Sequence, residues 1–234
     1  MSWNPQSPPI SADLLAARIT SFLGRVYAWM FLGLLVTAST AYVVASSEPL
    51  INSLIRNRGL LWILVFAQLG MVVYLSVRVE KMSPFTAGAL FILYSAAVGV
   101  TTSVFFLVYT SASLFSTFVV TAGMFGALAL FGTFTKRSLA GVGQFMFMGL
   151  IGLVIASIVN LFVFSSAVDF VISVVGVIVF TGLTAWDAQR MKQMAVMVPD
   201  GRVGSYAVVG ALSLYLDFIN LFFFLLRFMG GRRN

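Results

Sequence analysis

Asp187 and Asp217 are the residues of this sequence best placed to do chemistry. Asp217 lies inside ALSLYLDFINLFFFLLRF (211–228), a stretch otherwise almost wholly apolar, and Asp187 lies in VVGVIVFTGLTAWDAQRMKQM (174–194). An Asp at the centre of a membrane helix costs about 2.5–3.5 kcal/mol on insertion scales, so such acids face a bundle interior or a watery cavity and pair there. The turn Pro199-Asp200-Gly201-Arg202 joins the two segments, and residue 202 is the midpoint of 187 and 217. Residues equidistant from the turn of an antiparallel helical hairpin share a height. The two carboxylates are therefore expected level with each other, provided the first helix continues through Met191–Val198. Thr181 and Thr184 precede Asp187 at helical spacing, and Ser213 and Asn220 flank Asp217 at i−4 and i+3, so each helix should carry a polar seam.

Two carboxylates held close together cannot both ionise cheaply, and such a pair titrates in two macroscopic steps. Sharing one proton would latch the helices together. Losing it would add repulsion and open a passage or create a cation site. The plainer alternative is a satisfied polar contact that only locks the hairpin. The chain has no His and no Cys. Disulfides, thiol chemistry, histidine-ligated haem and histidine zinc sites are thereby excluded, as is a serine protease with a histidine base. A metal would have to be held by oxygen, which favours a hard cation such as calcium, with Asp187 and Asp217 as its ligands. Arg78 is a candidate third partner, since a guanidinium can hold a carboxylate bidentately; snorkelling to headgroups is its other reading. Of the remaining acids, Asp13, Glu48, Glu80 and Asp200 fall in tails or connections, and Asp169 suits the positive N-terminus of the sixth span.

The elements that must position these residues follow from composition. Of 234 residues 60% are hydrophobic and only 9% charged, with mean hydropathy +1.03, whereas a soluble domain carries about 25% charged residues. The class is a polytopic membrane protein. Seven apolar segments, at 22–45, 60–78, 85–109, 115–134, 143–164, 168–189 and 205–227, each approach the length of a membrane-spanning helix. Strict alternation is absent, which argues against a β-barrel. The connections are short, so neighbouring spans should form antiparallel hairpins. Residues 1–21 read as a cytoplasmic lead-in in which Ser11 caps a short amphipathic helix, not as a signal peptide. Residues 22–228 form the transmembrane domain, and 229–234 a short basic tail.

With the N-terminus inside, the cytoplasmic face holds nine basic residues: Arg18, Arg25, Arg78, Lys81, Lys136, Arg137, Arg190, Lys192 and Arg202. Five fall on the far side: Arg56, Arg58, Arg227, Arg232 and Arg233. This bias orients the N-terminus to the cytoplasm. Seven spans then put the C-terminus outside, though Arg232-Arg233 leaves open a re-entrant last segment with a cytoplasmic tail. The net charge of +7 is mostly this topology signal. No soluble domain exists to carry a nucleic-acid interface, and anionic lipid headgroups are the simpler partner. Gly123, Gly126, Gly149 and Gly152 sit where helices could approach closely. A short similarity links IVNLFVF (158–164) to FINLFFF (218–224), at similar depth in parallel spans.

ALSLYLDFINLFFFLLRFMG (211–230) strongly resembles the last span of the Bax inhibitor-like, or transmembrane Bax inhibitor motif, family, and VVGVIVFTGLTAWDAQRMK (174–192) resembles its sixth. YSAAVGVTTSVFF (94–106) and STFVVTAGMFGALALFG (116–132) are similar to its bacterial branch. The resemblance implies an all-α membrane protein of seven transmembrane helices, the last one central and surrounded by the other six, in a bacterial inner membrane. It implies a calcium-permeable, pH-sensitive leak or transport activity, with calcium as the transported species, protons as effectors and no tightly bound cofactor. The family's two-aspartate sensor falls on Asp187 and Asp217, and its latch arginine on Arg78. Bacterial relatives also include proteins that bind and restrain a membrane-bound AAA protease, which makes a non-conducting regulator the competing reading. The chain is expected to be a monomer or weak oligomer and not an enzyme. An intramembrane aspartyl protease would need G-x-G-D, but SLYL precedes Asp217 and LTAW precedes Asp187.

Overall fold

The computed structural model describes residues 12–231 and 233, the side chain of Arg58 apart. The Pro-rich head through Ser11, Arg232 and Asn234 lie outside the described residues. Among the described residues nine α-helices follow one another: α1 (Ala12–Ser46), α2 (Glu48–Arg56), α3 (Arg58–Arg78), α4 (Pro84–Thr102), α5 (Phe105–Val108), α6 (Ser111–Phe134), α7 (Ala140–Val163), α8 (Ser166–Met197) and α9 (Val203–Met229). Among the described residues seven spans are long and apolar enough to cross a membrane, α4 and α5 together making one of them. This is a multi-pass, all-α membrane protein.

Three boundaries depart from the sequence reading, each for a local reason. Among the described residues no separate short helix precedes the first span. Residues 12–21 are the opening turns of α1, because the stripe Phe22, Leu23, Val26, Met30, Gly33, Thr37, Ala41 and Val44 stays buried at helical spacing and Ile19 extends it backwards. The apolar run 85–109 is interrupted at Ser103-Val104, giving α4 and the single turn α5. An unexpected α2 fills the first connection. Pro49 sits in its first turn, where its missing N–H is harmless, and Ile51 and Leu54 pack on Val44. Asn57 ends α2 and starts α3, accepting from the Leu60 amide at 3.1 Å.

Successive spans run antiparallel, so the bundle has two ends. The α1 N-terminus, the α3–α4 and α6–α7 connections and the α8–α9 turn share one end; the α1–α3, α5–α6 and α7–α8 connections and the C-terminus share the other. α9 is one unbroken helix, so the re-entrant alternative is not what the chain adopts. Its tail is tied down at the far end: the Gly231 amide donates to Ser113 Oγ at 2.9 Å, and the Arg233 amide donates to the Val108 carbonyl at 2.9 Å.

α9 is buried on most of its circumference, with Ala207, Val208, Ala211, Leu214, Tyr215 and Leu221 at or near zero exposure. It packs against α1, α4, α6 and α8 and touches α3, while α7 packs chiefly on α8. This falls short of the expected full ring of six helices. Gly123, Gly126 and Gly152 face open space, and only Gly149 meets a neighbour, Val179. The closest helix approaches use other glycines: Gly132 lies against the Ala185 backbone and Gly143 against the Trp186 ring.

Candidate functional site

TAWDAQRMK (184–192) is the point at which α8 is fastened to its surroundings. Ala185 and Trp186 seat α6 and α7 through Gly132 and Gly143. Gln189 is buried and bridges the α6–α7 connection: its Oε1 accepts from the Leu139 amide at 2.8 Å, and its Nε2 donates to the Arg137 carbonyl at 2.9 Å. Lys192 donates to the Thr133 carbonyl near the end of α6. These contacts hold Asp187 in a rigid frame.

α8 continues without a break through Met197, so the helix condition for the level arrangement is met. Two contacts set the register of the α8–α9 hairpin. Phe180 stacks on Phe224 with ring centroids 5.7 Å apart, and the Met191 sulfur occupies the space a side chain at Gly210 would need. Asp187 and Asp217 lie between those two contacts on their respective helices. Both are buried, at 8% and 5% exposure. Each has one fully buried oxygen, Asp187 Oδ1 and Asp217 Oδ2, with no hydrogen-bond partner. Unpaired buried polar atoms are rare and costly.

Asp217 lies near the middle of α9, and Asp187 lies in the C-terminal third of α8. At the α-helical rise, Asp187 is about 15 Å from the end of α8 and Asp217 about 21 Å from the start of α9. Exposed Arg190 lies one turn closer to that end. Its Nη1 is 3.9 Å from Asp187 Oδ1, too long for a hydrogen bond, and its guanidinium sits over the Trp186 ring at 5.6 Å.

The other anticipated residues are placed as follows. Thr184 is buried, but its hydroxyl donates to the Phe180 carbonyl at 2.7 Å. Asn220 Nδ2 donates to the Leu216 carbonyl at 2.8 Å. Thr181 and Ser213 are half-buried. Thr184 and Asn220 thus spend these donors on their own helices. Arg78 is not brought to the pair. It is exposed at the end of α3 and forms no ion pair with a described residue, so the expected latch is not made here; the arginine beside the pair is Arg190. Beside Asp217 on α9, Tyr215 is wholly buried and shares a 2.6 Å hydrogen bond with Thr37 Oγ1, which also donates to the Ser95 carbonyl. Tyr94 and Phe91 pack edge-on against Tyr215.

Sequence reasoning missed Gln189, Arg190 as the partner, and Arg18. Arg190 was legible as an i+3 neighbour of Asp187. Arg18 donates to the Ala195 carbonyl at 2.9 Å and to the Val198 carbonyl, and lies 3.2 Å from Asp200, pinning α1 to the end of α8.

A seven-span helical bundle whose last two helices each bury a carboxylate, Asp187 and Asp217, between the contacts that set their register defines a class of multi-pass membrane protein with buried acids in its spans. The family model described as "Inhibitor of apoptosis-promoting Bax1" matches residues 19–234. The chain belongs to this Bax inhibitor family. It is 48% identical to the inner membrane protein YbhL of Escherichia coli over 220 residues, covering 93% of this chain and 94% of that protein. It is also 43% identical over 215 residues to an uncharacterized protein of Borreliella burgdorferi, covering 91% and 93% of the two chains.

Proposed function

We propose that this protein is a pH-responsive calcium leak channel or transporter of a bacterial inner membrane, with its N-terminus in the cytoplasm, gated by Asp187 and Asp217. The observation that carries this reading is the unpartnered buried oxygen on each carboxylate. A purely structural polar contact would have satisfied both atoms. The YbhL likeness supports the inner membrane, and the excess of basic residues at the N-terminal end supports the orientation.

With one proton between them the carboxylates hold α8 against α9. Without it, two like charges share a buried space, and the helices separate or admit a cation. The charged group beside the pair sets its response: Arg190 on α8 offsets the charge of Asp187. The predicted direction is therefore more flux as pH rises. Calcium takes six to eight oxygen ligands, so two carboxylates supply only part of a shell. That suits transit with retained water rather than a resident ion. Nothing in the mechanism requires an enzymatic step.

Calcium influx into liposomes bearing the purified protein tests this. Flux above protein-free liposomes, lowered by Asp217→Asn, is the expected result. Absent flux together with co-purification of a membrane-bound AAA protease would replace the channel by the regulator.

A further inference from the structure

At the end of the bundle that holds the α7–α8 connection, α7, α8 and α9 do not close on one another. They leave a cleft of about 720 Å³. Its lining is divided along its length. Toward the membrane interior the walls are apolar, with Leu150, Leu153, Val154 and Phe180. At the mouth stand Asp169 and Arg227. From Leu150 to Asn160 on α7 is about 15 Å at the helical rise, a depth suited to a hydrocarbon chain. Two polar groups on the walls, Ser157 and Asn220, turn their donors onto their own helices, to the Leu153 and Leu216 carbonyls at 2.8 Å each.

The mouth carries both signs of charge without saturating either. Arg227 Nη1 is 3.8 Å from Asp169 Oδ1, and the two side chains are 45% and 49% exposed. Arg227 donates no hydrogen bond to a described residue. Asp169 accepts one, from Asn160 Nδ2 at 3.2 Å. Guanidinium is well matched to phosphate. Asp169 would repel a purely anionic headgroup but accept hydrogen bonds from a primary ammonium.

We propose that this cleft binds one phospholipid whose headgroup carries both a phosphate and a primary ammonium, as phosphatidylethanolamine does. The phosphate sits on Arg227, the ammonium on Asp169, and one acyl chain runs along Val154 and Leu153. The two-carbon bridge of the headgroup lets it meet both side chains at once. The claim is independent of calcium permeation, since its charged mouth lies by the α7–α8 connection and its test reads lipid retention, not flux.

Native mass spectrometry of the detergent-purified protein, offered equal phosphatidylethanolamine and phosphatidylglycerol, tests it. A single phosphatidylethanolamine adduct should be retained roughly tenfold over phosphatidylglycerol. Asp169→Asn should abolish that preference, and Arg227→Gln should lower the retention of both lipids, since both carry the phosphate. Val154→Trp, at an exposed position that lines the cleft, should displace the lipid by filling its apolar half while leaving the charged mouth intact. Equal retention of the two lipids, no retained lipid, a preference unchanged by Asp169→Asn, or retention unchanged by Arg227→Gln would overturn the proposal. Loss with Arg227→Gln but not with Val154→Trp would overturn the lipid assignment in favour of a soluble phosphate compound.

Discussion

Replacing Arg18 by Ala should loosen the N-terminal end of the bundle, and its cost can be worked from three contacts. Arg18 donates to the Ala195 carbonyl at 2.9 Å and to the Val198 carbonyl, and lies 3.2 Å from Asp200. Those carbonyls belong to the last turn of α8 and its C-cap, where helical carbonyls lack intrahelical donors. A hydrogen bond from a charged donor contributes about 1.5–3 kcal/mol. The ion pair contributes little, since the Asp200 side chain is 91% exposed against 31% for Arg18, and exposed pairs are worth about 0–1 kcal/mol. Because the carbonyls are only partly buried, water recovers some of the loss, leaving about 2–4 kcal/mol for Arg18→Ala. Asp200→Asn should cost under about 1 kcal/mol. Arg18→Lys should fall between, since an ammonium cannot span both carbonyls as a planar fork does. Equilibrium unfolding in mixed micelles measures the three variants, and amide exchange should show faster opening of residues 195–198 in Arg18→Ala. Arg18→Ala within about 0.5 kcal/mol of wild type, or Asp200→Asn as damaging as Arg18→Ala, would refute the reasoning.

Other consequences are as specific. Gly132→Val should prevent folding, because a side chain there meets the Ala185 backbone, whereas Gly123→Ala, which faces open space, should leave yield and monodispersity on size exclusion unchanged. Gln189→Ala removes two hydrogen bonds from the α6–α7 connection and should speed tryptic cleavage at Lys136 and Arg137. Tyr215→Phe should cost about 1 kcal/mol in unfolding experiments through the lost bond to Thr37, without altering the pH response of flux.

Much of the fold was legible because hydropathy fixes spans. The connections were less so. α2 is an amphipathic turn whose burial rests on two residues, Ile51 and Leu54, too few for a pattern to declare itself. The forward extension of α1 was visible in hindsight, as Ile19 and Phe22 keep the spacing of the buried stripe. Within the site, Asp187 and Asp217 stood out because a carboxylate in hydrocarbon is costly, and hairpin arithmetic needs only a turn position and a helical rise. Arg78 illustrates the limit. A basic residue at the end of a span can snorkel or pair, and only packing decides; here it faces outward while Arg190 reaches Asp187. Gln189 was illegible because its partners are backbone groups of the α6–α7 connection, which no residue type announces. The match of IVNLFVF to FINLFFF did carry something: Asn160 and Asn220 line the same cleft from parallel helices.

The pH profile of calcium flux in liposomes, for wild type, Asp187→Asn, Asp217→Asn and the double variant, tests the central claim most directly. Two carboxylates acting as one unit predict that wild-type flux rises with pH, that each single variant flattens the profile, and that the double variant adds little beyond either single change. A wild-type profile retained in either single variant would contradict the account, as would two single effects that simply sum in the double.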